Sequence, residues 1–546
     1  MGTADSAAVA GRDASRTHLW IVGGGIAGMA AAAFAIRDAG VPGANVHILE
    51  ELPVAGGSLD GGASPTAAAG YVTRGGRMLS EEVYLCTWDL FSGIPARTDP
   101  AVSVTQEIWD FNDRVKTRAR ARLIDGSHRI LNASHLGLNP RDRLEMTRVL
   151  ASGERVLGTR RIDEMMGDHF FTTNFWQLWR TTFAFQKWHS AAELRRYLLR
   201  FVQEFSRIDT LSGVRRTVYN QYDSMVVPLQ RWLVAAGADV RFGTRVVDAD
   251  FAAEGASRRA TALHIATDRG PETIGLGQDD LAFFTLGSIT ADATYGGMND
   301  VPRLVRDRAD HGWSLWERIA ARQPDFGRPM TFYGNIDEHK WESFSLTMHD
   351  RVLLDRIIAY TGNQPGTGAL MTWIESGWHL SIVVPHQPHF PHMPESTYTL
   401  WGYGFEIDHD GDYVAKPMSR ATGREILTEL VHQLGFGDIL DHVLATTEIT
   451  TVMMPYASSL FAARAPGDRP LVVPAGSANF AFLGQFTEIP GDVVFTVEYS
   501  VHGAMYAVYT LFGVDRPIPP IYHGIVDPHI GFRALETALS SRTAAA

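Results

Sequence analysis

The fold is decided by the stretch His18-Leu19-Trp20-Ile21-Val22-Gly23-Gly24-Gly25-Ile26-Ala27-Gly28 near the N-terminus. An apolar run, a cluster of glycines and the alanine-rich residues 29–39 follow one another in the order strand, turn and helix. A second apolar run at residues 45–49 ends in Glu50-Glu51, about 25 residues after the first glycine. These spacings predict a βαβ unit of the Rossmann type, which binds a dinucleotide.

The three glycines of this motif have separate roles in such a unit. Gly23 permits a tight turn, Gly25 lets the backbone approach a pyrophosphate, and Gly28 lets the helix pack closely on the strand. The N-terminus of the helix offers free N–H groups to the same anion, and Ala27 is assigned to this site. We expect Glu50 to accept hydrogen bonds from an adenosine ribose, which disfavours NADP. The alternatives are a purely structural turn and a solvated carboxylate.

A second glycine cluster, Ala55-Gly56-Gly57-Ser58-Leu59-Asp60-Gly61, follows the acidic pair. A loop of this kind runs along an extended cofactor, so it favours FAD over NAD, with a structural turn as the alternative. Val246 lies on a predicted strand, and Ser288 follows the predicted strand at residues 280–286. The predicted FAD contacts are Gly23, Gly25, Ala27, Gly28, Glu50, Glu51, Gly57, Ser58, Arg77, Val246 and Ser288.

The bulk composition indicates a globular protein and excludes several classes of partner. The chain has 546 residues, of which 45% are hydrophobic and 20% charged, which is enough for two or three domains. A formal net charge of -12 opposes binding to nucleic acid, because phosphate backbones attract an excess of lysine and arginine. A single cysteine, Cys86, forms no intramolecular disulfide and no cysteine zinc site, and this fits a reducing cytoplasm.

The order of the segments predicts an α/β protein with a discontinuous Rossmann-type FAD-binding domain at residues 18–79, 211–300 and 446–512. Residues 80–210 and 301–445 carry aromatic-rich helical patterns and are assigned to a helical and mixed substrate domain. Residues 1–17 are predicted to be a disordered tail, and residues 513–546 a small C-terminal helical region. There, Phe532, Leu535 and Leu539 have helical spacing, so this segment either contacts a membrane peripherally or packs on the protein's own surface. No segment is expected to span a membrane.

Several longer motifs are more specific than the glycine fingerprint. They include Arg74-Gly75-Gly76-Arg77, Trp88-Asp89-Leu90-Phe91, the run from Tyr219 to Met225, and the block from Gly484 to Val501. Together with Ile48-Leu49-Glu50-Glu51 and the second glycine cluster, these motifs resemble the fatty acid hydratase family typified by oleate hydratase, formerly called myosin-cross-reactive antigen. The resemblance runs from about residue 18 to residue 520. It implies that FAD is held without being consumed while water adds across the cis-9 double bond of a free unsaturated fatty acid, giving 10-hydroxystearate from oleate.

The resemblance also assigns catalytic positions. Hydration of an isolated alkene needs a proton donor at one carbon and an activated water at the other. The family's donor aligns with Tyr197, for which a tyrosine packed on an amphipathic helix is the alternative. The family's water-activating glutamate is replaced by Met78, whose thioether accepts no proton. Glu82 and its neighbour Glu81 either substitute for that glutamate or are solvated, and Arg77 with the flavin ring is a further alternative.

The resemblance places the substrate carboxylate at Gln221 and His389. Two nearby positions that are polar in the family, a threonine and an asparagine, appear here as Val383 and Pro385. Fewer or different side chains therefore bind the carboxylate, with His386 as a further candidate. His386, His389 and His392 recur every third residue in a proline-rich, extended stretch. Their spacing of roughly 9 Å between neighbours is too wide for a shared zinc ion, so we expect no metal site.

A second function stays open from the sequence alone. The same Rossmann fingerprint fits an FAD-dependent oxidoreductase, oxidase or desaturase-like, that acts on an apolar substrate, and the absent glutamate at Met78 favours it. A non-catalytic lipid-binding flavoprotein is the third alternative. The expected partner is a free unsaturated fatty acid, the expected location is the cytoplasm with peripheral membrane contact as an option, and both a monomer and a homodimer remain open.

Overall fold

The computed structural model describes residues 12–75, 78–307, 311–524 and 528–539. Its β-strands are, in chain order, β1 Leu19–Val22, β2 Val46–Leu49, β3 Gly61–Ala63, β4 Tyr71–Thr73, β5 Leu79–Ser80, β6 Leu123–Ile124, β7 Val214–Arg215, β8 Asp239–Arg241, β9 Arg245–Glu254, β10 Ser257–Thr267, β11 Gly270–Gly275, β12 Leu281–Thr285, β13 Thr294–Gly296, β14 Trp341–Met348, β15 Met371–Trp373, β16 Leu380–Val383, β17 Tyr398–Gly404, β18 Thr447–Met454 and β19 Phe480–Leu483. Its α-helices are α1 Ile26–Arg37, α2 Leu85–Ser92, α3 Val104–Arg114, α4 Pro140–Ala151, α5 Glu154–Leu157, α6 Asn174–Phe183, α7 Ala191–Arg200, α8 Val227–Ala235, α9 Gly312–Arg322, α10 Met330–Tyr333, α11 Ile336–His339, α12 Val352–Thr361, α13 Gly423–Gln433, α14 Leu440–Thr446, α15 Val497–Phe512 and α16 Pro528–Leu539.

A five-stranded parallel sheet carries the glycine motif. Its strand order is β19-β12-β1-β2-β8, and Ile21 on β1 lies opposite Phe283 on β12 and Ile48 on β2. The strands are short apolar runs because both faces of a parallel sheet are covered. On one side α1 packs against β1 and also against α15. The predicted α/β fold with a Rossmann-type sheet built from separated segments is confirmed.

The other face of this sheet is covered by the antiparallel three-stranded sheet β11-β10-β9. Phe251 on β9 packs against Phe284 and Phe480, with ring centroids 5.9 and 5.0 Å apart. The start of β9 carries Val246 to the edge of the parallel sheet where β1 and β2 end. This packing brings a distant part of the chain to the glycine motif.

A seven-stranded sheet, ordered β13-β18-β14-β17-β16-β15-β6, forms the second large layer. Its interior strand β14 pairs antiparallel with β17 and β18, and Phe344 and Leu346 on β14 join a separate core. The sequence indicates helices in much of residues 301–445, whereas the structure places strands at the centre of this region. In β14 apolar and polar residues alternate, which is a strand pattern, and both kinds of residue are buried.

Residues 80–210 are mainly helical and supply aromatic packing around α6 and α7. Phe175 and Trp179 are fully buried and stack with ring centroids 5.3 Å apart. Phe183 lies on the edge of this cluster, 5.2 Å from the ring of Tyr197. Most of the aromatic stretch therefore belongs to the hydrophobic core, and Phe183 at the end of α6 packs against Tyr197.

The two chain ends differ from the predicted tail and helical segment in detail. The sequence predicts a disordered tail over residues 1–17, but Arg12 donates to the carbonyl oxygens of Asp279 and Ala478, each at 3.0 Å, so the ordered chain begins before residue 18. At the other end α16 is helical, while the side chains of Phe532, Leu535 and Leu539 lie outside the described residues. Within the described ranges, no helix combines the length and apolar character needed to cross a bilayer.

Candidate active site

A cleft of about 530 Å³ opens where β1, β2 and β12 end at the carboxyl edge of the parallel sheet. This edge is where open α/β sheets bind nucleotides. The predicted cofactor residues that line the cleft are Gly23, Gly25, Ala27, Glu50, Glu51, Gly57, Ser58, Val246 and Ser288. Arg77 lies outside the described residues. The structure thus brings residues from three separated chain segments to one wall.

Gly28 has a packing role and does not line the cleft. A Cβ atom at this position would lie 2.1 Å from the carbonyl oxygen of Gly23 and 3.0 Å from Ile21. The absence of a side chain therefore lets α1 approach β1, as the motif predicts. Gly23 adopts a φ of +96°, which a glycine tolerates without strain.

The second glycine cluster lies directly against the first. The N–H group of Gly56 donates to the carbonyl oxygen of Gly24 at 2.9 Å. A Cβ atom on Gly57 would lie 3.2 Å from the Cα atom of Gly25. The cluster therefore packs against the first turn and also forms part of the cleft wall. A structural turn and a position beside the predicted cofactor site are thus compatible.

Glu50 is buried at the end of β2 and anchors the glycine turn. Its Oε2 atom accepts from the N–H group of Gly24 at 2.6 Å, and its Oε1 atom accepts from Leu52 at 2.8 Å. Burial raises the pKa of Glu50, and the two backbone donors oppose that shift. Each carboxylate oxygen keeps a second lone pair for a ribose hydroxyl. Glu51 instead accepts from Nδ1 of His311 at 2.9 Å.

Arg74 is a cleft residue that the sequence analysis did not assign. Its Nε atom donates to Asp60 at 2.7 Å, and its Nη2 atom donates to the carbonyl oxygen of Gly57 at 2.9 Å. The guanidinium thereby fixes the second glycine cluster and places a positive charge on the cleft wall. The available signal was the Arg-Gly-Gly-Arg motif, in which only Arg77 was assigned to the cofactor.

A smaller cavity of about 80 Å³ is lined by Tyr197 and Met78. Tyr197 lies on α7, is 1% exposed, and donates its hydroxyl to the carbonyl oxygen of Val494 at 2.5 Å. Burial, with the nearby Tyr84 and Glu193, raises the pKa of Tyr197 well above its usual value. The phenol therefore stays protonated at every working pH, which is the state that a proton donor requires.

The carboxylate on this cavity wall is Glu204, and the sequence analysis missed it. Glu204 is 4% exposed, and its two oxygens accept from Arg207 at 2.6 and 3.1 Å. Burial raises its pKa, and Arg207 opposes this shift without cancelling it. Glu204 lies on a short 3-10 helix, Val202–Arg207, that directly follows α7, the helix that carries Tyr197.

Glu82 and Glu81, the predicted substitutes for the family glutamate, form ion pairs outside the cavity of Tyr197. Glu82 pairs with Arg207 at 3.0 Å and accepts from the hydroxyl of Ser80 at 3.1 Å. Burial raises the pKa of Glu82, but Arg207, the hydroxyl of Ser80 and a backbone hydrogen bond together outweigh burial, so its pKa is lowered. Glu81 pairs with Arg215 at 2.5 Å. Neither glutamate is among the residues that line the cavity of Tyr197.

Gln485 separates the cavity of Tyr197 from the large cleft. It lines the cleft, and its Nε2 atom donates to the carbonyl oxygen of Thr496 at 3.0 Å and to Ser500 at 2.8 Å. Its Oε1 atom accepts from the N–H group of Phe495, which has a φ of +67°. Phe495 and Thr496 line the cavity on the other side. A single side chain thus contacts the walls of both spaces.

A third cavity, of about 70 Å³, brings Gln221 and His389 together. It shares Ser58 and Asp60 with the large cleft, so the two spaces adjoin. Burial lowers the pKa of His389 to about 3, with smaller contributions from His386 and Arg216, so its ring is neutral at physiological pH. In the part of the chain that is described, no three potential ligands gather into a metal site.

Three residues that are close in sequence line the three spaces. Arg74 lines the cleft, Gly75 lines the cavity of Gln221, and Met78 lines the cavity of Tyr197. Val383 and Pro385 present apolar surface to the cavity of Gln221, where polar residues would have offered further donors.

Comparison with known proteins decides the family. The sequence profile described as the MCRA family matches residues 16–509. This chain belongs to the MCRA family. Members with similar sequences include a protein named oleate hydratase from Streptococcus pyogenes serotype M49 (strain NZ131), which is 37% identical over 519 residues, covering 93% of this chain and 87% of the relative. A protein named linoleate hydratase from Lactiplantibacillus plantarum is 34% identical over 536 residues, covering 90% and 93%.

The fold of this family member also resembles that of a solved structure with little sequence similarity. Cyclohexylamine oxidase from Brevibacterium oxydans IH-35A superposes with a TM-score of 0.50 at 12% identity, covering 91% of this chain and 99% of the oxidase. At this level of identity the similarity concerns the fold alone. The resemblance that the long motifs indicated is confirmed by the family match and by the two hydratases.

Proposed function

We propose that this protein is a fatty acid hydratase, a hydro-lyase that adds water across the cis-9 double bond of free unsaturated fatty acids. With oleate the product is 10-hydroxystearate. The observation that carries the proposal is the buried phenol of Tyr197 on a cavity wall that Gln485 separates from the nucleotide cleft. The names of the two similar relatives, oleate hydratase and linoleate hydratase, support the same reaction.

FAD is the cofactor that we propose for the cleft, and the residues present fit it. A Cβ atom on Gly25 would meet only Gly57, at 3.8 Å, so the backbone there is open to the cleft. Thr285 lines the cleft, and its buried hydroxyl has no hydrogen-bond partner among the described residues. The cleft volume lies within the usual range of ligand sites, about 300–1,000 Å³. When bound, the flavin supplies a polar ring surface without net redox change, while Glu50 and Ser58 hold the nucleotide.

Tyr197 is the proton donor in the proposed reaction. Its hydroxyl proton passes to one alkene carbon, and the oxygen of water forms a bond to the other carbon. Water loses one proton in that step to a base on the cavity wall, and this proton then passes from that base to the phenolate, so the protein ends in its starting state. Phe183, Phe201 and Phe495 line the same cavity and exclude other water from the reacting carbons.

Glu204 is the group that we propose accepts the proton of the attacking water. It is a buried carboxylate on the same cavity wall as Tyr197, and its raised pKa makes it a stronger base than an exposed glutamate. Arg207 holds both of its oxygens in place, and each oxygen keeps a lone pair for water. This assignment removes the need for a glutamate at Met78.

The cellular compartment that we propose is the cytoplasm. Cys86 is a free and buried thiol, and burial with the nearby Glu498 raises its pKa, so it stays reduced and unreactive. A chain that depends on no disulfide folds in a reducing compartment. Free fatty acid reaches the protein there from solution or from a membrane surface.

Anaerobic incubation of the FAD-loaded protein with oleate tests the proposal. We expect a product heavier by one water, detected by mass spectrometry, and an unchanged flavin absorption spectrum during turnover. A panel of cis-9 acids of different chain length then defines the preferred substrate. If none of these acids gains water, the hydratase proposal is wrong. Bleaching of the flavin by substrate, followed by peroxide formation in air, would instead identify an FAD-dependent oxidoreductase.

A further inference from the structure

Arg216 lies on the wall of the cavity that contains Gln221 and His389, directly after β7. Its Nη2 atom donates to the carbonyl oxygen of Gly368 at 2.6 Å, and its Nε atom lies 3.4 Å from the hydroxyl of Thr117. Asn112 bonds to both its backbone N–H and its carbonyl group, at 3.0 and 2.8 Å. Gly368 and Thr117 therefore fix the guanidinium, and Asn112 fixes the backbone that carries it.

This guanidinium has no acidic counter-ion in the described ranges of the chain. Burial alone lowers the pKa of Arg216, to about 10, and no carboxylate raises it again. Asp60 is the acid on the same cavity wall, and it pairs with Arg74 at 2.7 Å. Arg216 is still a cation at neutral pH, so a positive charge faces the cavity without an internal partner. Such a charge is costly unless a bound anion compensates it.

Three further polar side chains of this cavity, those of Gln221, His386 and His389, supply no positive charge. Burial lowers the pKa of His389 to about 3 and lowers that of His386, so neither ring offers a positive charge. Gln221 is 8% exposed, and its Oε1 atom is buried without a hydrogen-bond partner among the residues described. Turned by half a rotation, this amide presents its NH₂ group to an incoming acceptor.

We propose that Arg216 is the counter-ion of the substrate carboxylate, with Gln221 and His389 as neutral hydrogen-bonding partners beside it. The proposal rests on the proposed hydratase function for the identity of the anion. A planar guanidinium matches the two oxygens of a carboxylate, and its Nη1 group has no protein acceptor in the described structure. Val383, Pro385 and Trp401 line the same cavity and contact the first methylene groups of the chain.

This assignment accounts for the apolar residues at positions 383 and 385. Where the family carries a threonine and an asparagine, Val383 and Pro385 donate no side-chain hydrogen bonds. A single charged donor replaces two neutral ones, because a hydrogen bond to a charged group contributes more than a neutral hydrogen bond. The cavity is therefore selective for acids over alcohols or esters of the same chain length.

The test compares binding of stearate and of 1-octadecanol to the FAD-loaded protein, because neither ligand has a double bond to hydrate. The variants are Arg216→Gln, Arg216→Lys, and the control Arg215→Gln, since Arg215 pairs with Glu81 and does not line the cavity. We expect Arg216→Gln to weaken stearate binding roughly 10- to 100-fold while octadecanol binding stays unchanged. Arg216→Lys restores part of the loss, and the control behaves as wild type. With oleate, KM rises for Arg216→Gln more than kcat falls.

Three results would overturn the assignment of Arg216. The first is stearate binding by Arg216→Gln that equals wild type. The second is an equal loss of stearate and octadecanol, which indicates a structural role. The third is weaker FAD retention with intact stearate binding, which assigns the charge to the cofactor. The binding experiment needs no turnover, so it tests Arg216 separately from the hydratase proposal. If the wild-type protein hydrates no acid while Arg216→Gln loses the preference for stearate over octadecanol, the hydratase proposal is wrong and Arg216 remains a carboxylate partner.

Discussion

Replacement of Tyr197 by phenylalanine separates a catalytic role from a packing role. The ring of Tyr197 packs among Phe183, Phe185 and Phe461, with centroids 5.2, 5.0 and 5.7 Å away, and phenylalanine keeps all three contacts. What is lost is the hydrogen bond from the hydroxyl to the carbonyl oxygen of Val494. A buried acceptor left without its donor costs about 1–3 kcal/mol in the free energy of unfolding.

The effect of Tyr197→Phe on turnover should be much larger than its effect on stability. Loss of a positioned proton donor lowers the rate by roughly 10²- to 10⁴-fold. That corresponds to about 3–5 kcal/mol in the activation barrier. We expect kcat for oleate to fall by this factor, measured as hydroxy acid formed per flavin, while stearate affinity and flavin content stay close to wild type.

A matched control for this variant is Phe185→Leu, which alters the packing around Tyr197 without removing a hydroxyl group and does not line the cavity. If Tyr197→Phe retains turnover within a few-fold of wild type, the phenol is not the donor. If it loses fatty acid binding and turnover in equal measure, the hydroxyl serves the cavity wall and the catalytic assignment is wrong.

Three further changes have clear expected outcomes. Glu204→Gln should lower kcat by about 100-fold or more with oleate binding retained, whereas Glu82→Gln should leave kcat near wild type; equal effects would refute Glu204 as the base. Gly28→Ala places a methyl group 2.1 Å from the carbonyl oxygen of Gly23, so flavin retained after gel filtration should fall, and full retention would contradict the close packing of α1. Burial raises the pKa of Glu193, but Arg469, Arg464 and Arg196 together outweigh burial and lower it to about 2. Because the folded-state pKa lies below the unfolded one, this stabilisation exists above about pH 4.5 and is lost as pH falls toward 2. Glu193→Gln should therefore reduce the loss in the free energy of unfolding, measured by urea denaturation, as the pH falls from 5 to 2. An unchanged pH profile would refute the ion cluster as the source of this loss.

Local patterns predicted the nucleotide-binding part of the fold well. The strand, glycine turn and helix at residues 18–39 are contiguous, and Gly28 is constrained by Gly23 and Ile21 of the same unit, whereas the space at Gly23 is limited by Thr285 on β12. The interior strand β14 of the seven-stranded sheet was not predicted. Phe344, Leu346 and Met348 alternate with polar residues, which is a local strand signal, but the aromatic-rich helical interpretation of the whole region passed over it. Glu342, Ser343 and Ser345 on the same strand are polar yet buried, and this burial comes from distant segments and has no local signal.

The sequence predicted residues of the candidate site only where they belong to a recognisable motif. The resemblance placed Tyr197 and Met78, and the structure brings both to one cavity. Glu204 and Arg216 were missed because their significance depends on burial and on which charges face them, and both properties come from tertiary packing. Glu82 was chosen by its proximity in sequence to Met78, but Arg207 from another segment pairs with it. Sequence proximity gives no information about such a partner.

The position of Gln485 has a consequence for how the protein is loaded. Phe495 keeps a backbone conformation that side chains other than glycine rarely adopt, and the Gln485 amide is one of the contacts that hold it there. A ligand that contacts Gln485 from the cleft would therefore lie one side chain away from Phe495, which lines the cavity of Tyr197. The cleft and this cavity share a wall, so a substitution at Gln485 would alter both spaces at once.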